Sequence, residues 1–169
     1  NQKTPWAQLG IHGEGQYLAF LLDLKYWSAL ANKLPDTQAK TFFELAALSH
    51  DNASFWGWSN IHHRTWDYGG CSPLGTGIHR DILTKLDVIK QSPTFASQVG
   101  ETLHRLRELV IKDLLSGMDE FPYCNRDKPE WVAKMIEEGR TIVATIELSV
   151  DERTTLQRRL DANMGLSVK

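Results

Sequence analysis

Only two cysteines, Cys71 and Cys124, occur in the 169-residue chain. That is too few for a disulfide framework, and sequence alone does not say whether they approach each other, so reduced thiols in the cytoplasm are the expectation. Long apolar runs are missing as well. The longest, Leu18 to Leu22, falls far short of the roughly 20 residues that a bilayer span needs, and no charged-then-apolar leader opens the chain; neither a membrane nor a visible signal peptide is expected. The first residue is Asn1, not Met, which leaves room for a removed leader. There is no basic excess: 19 Lys and Arg face 21 Asp and Glu, which argues against a nucleic-acid partner, because backbone phosphates call for concentrated positive charge. Repeats, low-complexity tracts and Pro/Ser linkers are absent too, so residues 1–169 are read as one domain.

What is present is helical patterning. From Glu14, the positions Tyr17, Phe20, Leu24, Trp27, Ala31 and Leu34 alternate spacings of three and four, the stripe of an amphipathic helix ended by Pro35. Before it, residues 1–13 read as an irregular arm holding Trp6. Asp36 or Thr37 can cap a second helix running through Phe42, Leu45, Ala46 and Leu48 to about His50. Ser92-Pro93 is a helix start, with a stripe through Phe95, Val99, Leu103, Leu106, Val110 and Leu114. Glu101 to Arg105 and Glu108 to Lys112 form charge pairs on its wet face. Asp127 with Glu130, and Ser149 with Glu152, have capping-box spacing, although Thr141 to Ile146 is β-branched enough for a strand. The expected fold class is therefore all-α: a single-domain antiparallel bundle of roughly five to seven helices.

One excursion breaks the pattern. Between His50 and His79 lie four of the six histidines, three of the six tryptophans and five of the twelve glycines. Gly69-Gly70 must interrupt any regular element, and a short helix starting at Asp51 or Ser54 would be weakened by Gly57. Residues 51–77 are therefore expected as a loop or short-helix segment. Trp56, Trp58, Trp66 and Tyr68 either plug the bundle core or, with Arg64, form a surface of interface composition. His62 and His63 diverge by about 100° on a helix, so at most one of the pair points into a given site. Gly75-Thr76-Gly77 leads into a helix with Ile78, Ile82, Leu86 and Ile89 on its buried side. The free amides at its start, with His79 and Arg80, could hold a phosphate or carboxylate.

Several patterns suggest catalysis without completing it. Glu101-Thr102-Leu103-His104 is an E-x-x-H, but di-iron bundles need two copies. His79-Arg80-Asp81 has the H-x-D part of a two-His, one-carboxylate iron site, with His104 as a distal ligand. Cys71 could be a nucleophile, though no hydrolase signature surrounds it, and a buried inert thiol is preferred. Asn52-Ala53-Ser54 is a glycosylation sequon, relevant only to an exported chain. The run Leu45-Ala46-Ala47-Leu48-Ser49-His50-Asp51 resembles the helix-borne His-Asp doublet of HD-domain phosphohydrolases. That resemblance implies a divalent metal on His50 and Asp51, with His12 as an earlier and Asp113 as a later ligand; Asn52-Ala53-Ser54 departs from the residues usual after the doublet. As a physical alternative, Asp51 is an N-cap and His50 closes the preceding helix.

The leading functional expectation is a non-enzymatic binding or protein-interaction module that meets a protein partner or a small ligand through the segment from Trp56 to Arg80. Its contact residues are Trp56, Trp58, His62, His63, Arg64, Trp66, Tyr68, His79 and Arg80, and no cofactor is required. The first rival is a metal-dependent, HD-like hydrolase using His50, Asp51 and one of His62 or His63. The second is a sensor domain for an aromatic or anionic effector.

Overall fold

Two short strands stand where the first part of the first helix was expected. The computed structural model describes residues 9–14, 17–22, 24–48, 61, 65, 71–116 and 123–162. β1 (Leu9–Glu14) and β2 (Tyr17–Leu22) pair antiparallel, from Leu9 opposite Leu22 to Glu14 opposite Tyr17. The helix read from Glu14 to Leu34 holds from Leu24 to Ala31, and before that it gives way to strand for a physical reason. Its stripe took Tyr17 and Phe20 from an apolar run that also contains Leu18, Leu21 and Leu22, which one helical face could not bury together, and a short continuous apolar run suits a strand equally well. Gly10 and Gly13 disfavour helix besides. The arm expected to be irregular is strand from Leu9 onward; residues 1–8 lie outside the described residues.

The rest is mostly helical, as an all-α class requires, with six helices among the described residues. α1 spans Leu24–Ala31 and α2 Thr37–Leu48. Between them Asp36 Oδ2 accepts the Ala39 amide at 2.8 Å, the expected cap. Rings join the two helices to each other and to the body of the molecule: Trp27 stacks on Phe43 with centroids 5.3 Å apart, and Phe42 stacks on Phe95 at 4.6 Å.

α3 (Ile78–Ile89), α4 (Pro93–Ser116), α5 (Pro129–Thr145) and α6 (Val150–Asp161) complete the set. α3 packs on α2, α4 and α5, while α6 packs on α4 and α5. Their apolar stripes meet in one core: Ile82, Leu83, Leu86 and Ile89 face Leu103, Leu106, Val110 and Leu114, with Met135, Ile142, Leu156 and Leu160 beside them. Each such side chain contributes about 1.5–3 kcal/mol on leaving water. α5 and α6 approach closely at Gly139, where a β-carbon would come within 2.8 Å of Leu160 Cδ2.

Local start signals held at α4 and α6, as at α2, and failed at α5. α4 begins at Pro93, and α6 begins with the complete Ser149/Glu152 capping box. At α5 the Asp127/Glu130 box is absent. Pro129 occupies the first helical position, which makes Lys128 the N-cap without a side-chain bond and leaves Asp127 one residue too early. The β-branched end of α5 is helix to Thr145, where Thr141 and Thr145 hydroxyls donate to the carbonyls of Glu137 and Thr141 at 2.9 and 2.7 Å.

Candidate functional site

The histidine- and tryptophan-rich segment touches the helical body at a series of described points. Ile61 is fully buried in the core, and so is Thr65, whose hydroxyl donates to Asp113 Oδ2 at 2.7 Å. Cys71 is joined to Cys124 by a disulfide, with the Cα atoms 5.1 Å apart. Next to it Ser72 pairs with Tyr123 in a parallel bridge, and the Cys124 amide donates to the Ser72 carbonyl at 2.8 Å. Tyr123 is buried, and its hydroxyl donates to the Leu114 carbonyl at 2.8 Å. Burial raises its phenol above the ordinary tyrosine value, partly opposed by the Arg159 guanidinium.

The expectation of reduced thiols, with Cys71 buried and inert, is thereby corrected. The turn from Tyr123 through Asp127 returns the chain beside Ser72. This brings the two cysteines, 53 residues apart in sequence, within the Cα separation that a disulfide demands. Spacing along the chain held no trace of that approach.

The start of α3 does hold an anion, and the chain supplies it. Glu138 of α5 is buried at 5% exposure. Its Oε2 accepts the amides of Gly75 and Gly77 at 2.6 and 2.9 Å, and its Oε1 accepts the Arg80 amide at 3.2 Å. Both glycines have positive φ, +95° and +86°, which aims their N–H groups at one point in a backbone shape that other residues resist. The expected phosphate or carboxylate cradle is thus occupied by the protein's own carboxylate, placed where the helix dipole favours it. A depression of about 420 Å³ lies beside it, bordered by Thr76, Arg80, Lys134 and Glu137.

The other expected site residues separate into three groups. Trp56, Trp58, His62, His63, Arg64, Trp66 and Tyr68, with the doublet His50 and Asp51 and the sequon at Asn52, lie outside the described residues. His79 is fully buried, with Nε2 3.3 Å from Ser72 Oγ, and so presents no surface to a partner. It sits one residue after Ile78, on the face of α3 that carries Ile82, Leu83 and Leu86 inward. Arg80 is exposed.

The iron patterns come apart. Asp81 pairs with Lys85, while His104 is 67% exposed and 3.3 Å from Glu108. Glu101 pairs with Arg105 at 2.6 Å, as its surface reading held, whereas Glu108 faces His104. His12 lies on β1, and Asp113, the later carboxylate of the HD-like reading, receives the Thr65 hydroxyl. Among the described residues no group of three or more His, Cys, Asp or Glu could hold a metal ion. No helix there is long and apolar enough to cross a membrane.

Sequence reasoning passed over Glu138, and it named Asp113 only as a metal ligand, not as the partner of Thr65. Both had a readable signal: each falls on the apolar stripe of its helix, Glu138 between Met135 and Ile142, Asp113 between Val110 and Leu114. A carboxylate on a buried stripe must find hydrogen-bond donors. No protein-family profile, curated protein or solved structure matches the chain.

Proposed function

We propose that the protein is a non-enzymatic binding module: a single-domain, antiparallel helical scaffold that presents the stretch from Trp56 to Tyr68, with Arg80, to a protein partner or small ligand. One observation carries this reading. The stretch is tied to the helical body at Ile61, at Thr65 through Asp113 and, just past its end, at Cys71 through the disulfide, and a recognition segment held in advance at its middle and far end loses less entropy when it binds. His79, being buried, serves the scaffold and is dropped from the contact set.

Thermal-shift screening of aromatic, anionic and peptide ligands tests the proposal. A ligand is expected whose stabilisation is lost with Trp58→Ala, His62→Ala or Arg64→Ala while far-UV circular dichroism keeps its helical signal. If each of these substitutions instead unfolds the protein, the segment is core and the reading fails. The HD-like rival draws support from Asp113, which is buried and reaches the segment at Thr65. Metal analysis of protein purified without a histidine tag decides it, since metal-free, fully folded protein removes that reading.

The disulfide also bears on location. Bridges of this kind form and persist in oxidising compartments, so the cytoplasmic expectation yields to one in which the folded protein meets an oxidising environment.

A further inference from the structure

Going beyond the reading above, with which it shares only Arg80, we propose that the depression between the start of α3 and the exposed face of α5 binds a small zwitterion of the α-amino acid class. The carboxylate of that ligand faces Arg80 and Lys134, and its ammonium group faces Glu137.

The hollow owes its room to what its walls lack. It measures about 420 Å³ and is bordered by Gly75, Gly77 and Ala133, none of which has a side chain larger than a methyl group. Such a volume falls in the lower part of the range of small-ligand pockets, roughly 300–1,000 Å³. Both glycines are required by their positive φ. At Gly77 a β-carbon would meet nothing nearer than Arg80 Nη2, at 3.6 Å, so the guanidinium leans over an open turn.

The helix start itself has nothing left to give a ligand. Glu138 already takes the amides of Gly75, Gly77 and Arg80, so recognition falls to the side chains at the rim. Arg80, Lys134 and Glu137 border the hollow and all three are exposed. Among the described residues, the Arg80 guanidinium and the Glu137 carboxylate have no ion-pair partner. The Lys134 ammonium stands 4.4 Å from the centroid of the Trp131 ring, a contact that holds the cation in place without supplying a counter-ion. Lys134 and Glu137 are three residues apart on α5, a spacing at which opposite charges commonly pair, yet they do not meet.

Two cations and one carboxylate around a single hollow select their ligand by charge. A bare anion would meet both cations but also Glu137, with Glu138 behind the turn. A bare cation would meet Glu137 against two like charges. A molecule that carries a carboxylate and an ammonium group a few bonds apart satisfies the whole set. Each contact is an exposed ion pair of small worth, which places the affinity at about the millimolar level.

Two-dimensional NMR of the isotope-labelled protein, titrated with each standard α-amino acid to about 20 mM, tests the site. At least one amino acid is expected to move the amides of Gly75, Gly77, Ala133 and Glu137 together. Its N-acetyl and amide derivatives, each lacking one charge, should bind about three- to fivefold more weakly. Glu137→Gln should weaken the amino acid by the same factor without weakening its N-acetyl derivative, whereas Lys134→Gln should weaken both. Ala133→Leu, at an exposed helical position that accepts leucine, should abolish binding by filling the hollow. The proposal is overturned if no amino acid moves these amides, or if acetate or inorganic phosphate moves them as strongly and Glu137→Gln changes nothing, which would make this a bare anion site. Equal binding to the parent and to Trp58→Ala supports the hollow whatever becomes of the recognition reading. Loss of binding in a folded Trp58→Ala variant would move the ligand to the Trp56–Tyr68 stretch and sink this proposal alone.

Discussion

The starts of α3 and α6 solve one problem in opposite ways. Each helix opens with amides that have no partner within the helix. At α6 the answer is local: Ser149 Oγ accepts the Glu152 amide at 3.2 Å, and Glu152 Oε2 accepts the Ser149 amide at 2.8 Å. At α3 the N-cap is Gly77, which has no side chain to offer, and the acceptor arrives from Glu138, some sixty residues away along the chain. A local cap stabilises one turn. A remote one also welds α5 to the beginning of α3 and fixes the two-glycine turn that leads into it.

The local cap has a long-range tie of its own. Arg107 on α4 donates to both carboxylate oxygens of Glu152 at 3.1 and 3.3 Å and to the Glu147 carbonyl at 2.6 Å. The difference between the two starts therefore lies in what happens when the acceptor is lost. At α6 the amides can turn to water; at α3 they are left inside.

Replacing Glu138 is the severest test of that contrast. Glu138→Ala leaves converging donors without an acceptor and is expected to cost about 3 kcal/mol in urea unfolding. Formate or acetate should restore part of the loss by entering the vacated cradle. A loss below about 1 kcal/mol, or no rescue, would reduce α3 to an ordinary frayed start. Gly75→Ala comes next, at about 2 kcal/mol, because φ is +95° and the new β-carbon would lie 3.2 Å from the Met135 amide nitrogen.

Ser149→Ala should cost about 1 kcal/mol, the usual worth of an N-cap, with no rescue by added anions. A smaller effect still is expected from acid. Burial, the largest single influence on Glu152, raises its pKa, but Arg107 and Ser149 together outweigh it, so the carboxyl titrates below the ordinary glutamate value. A folded value below the unfolded one means that the stabilisation is complete above the unfolded value and disappears as pH falls through the folded one. For a group this near solvent the loss should stay under about 1 kcal/mol, and Arg107→Ala should flatten this part of the acid limb. An acid limb unchanged by that substitution would show that the Arg107 tie adds nothing to the local cap.

The same contrast marks how much of the protein could be read in advance. The Ser149 box, the Pro93 start, the Asp36 cap and the stripes of α3 and α4 were legible, because each depends on residues within a turn or two of one another. The hairpin from Leu9 to Leu22 was not, since an apolar run of that length fits strand or helix, and only pairing with a second strand decides between them. At the candidate site the location of an anion cradle at Gly75–Arg80 was legible from its glycines and helix start, while its occupant was not.

Sequence by itself determined a mostly helical chain, the faces its helices bury and the segment where chemistry-bearing side chains concentrate, because hydrophobic periodicity and capping are short-range codes. Tertiary structure alone decided that Cys71 meets Cys124, that Asp113 receives Thr65, that His79 turns inward and that Glu138 fills the cradle. Those partners lie tens of residues apart for most of the set, and only the packing of helices against one another brings such distant groups within a hydrogen bond's or a covalent bond's length.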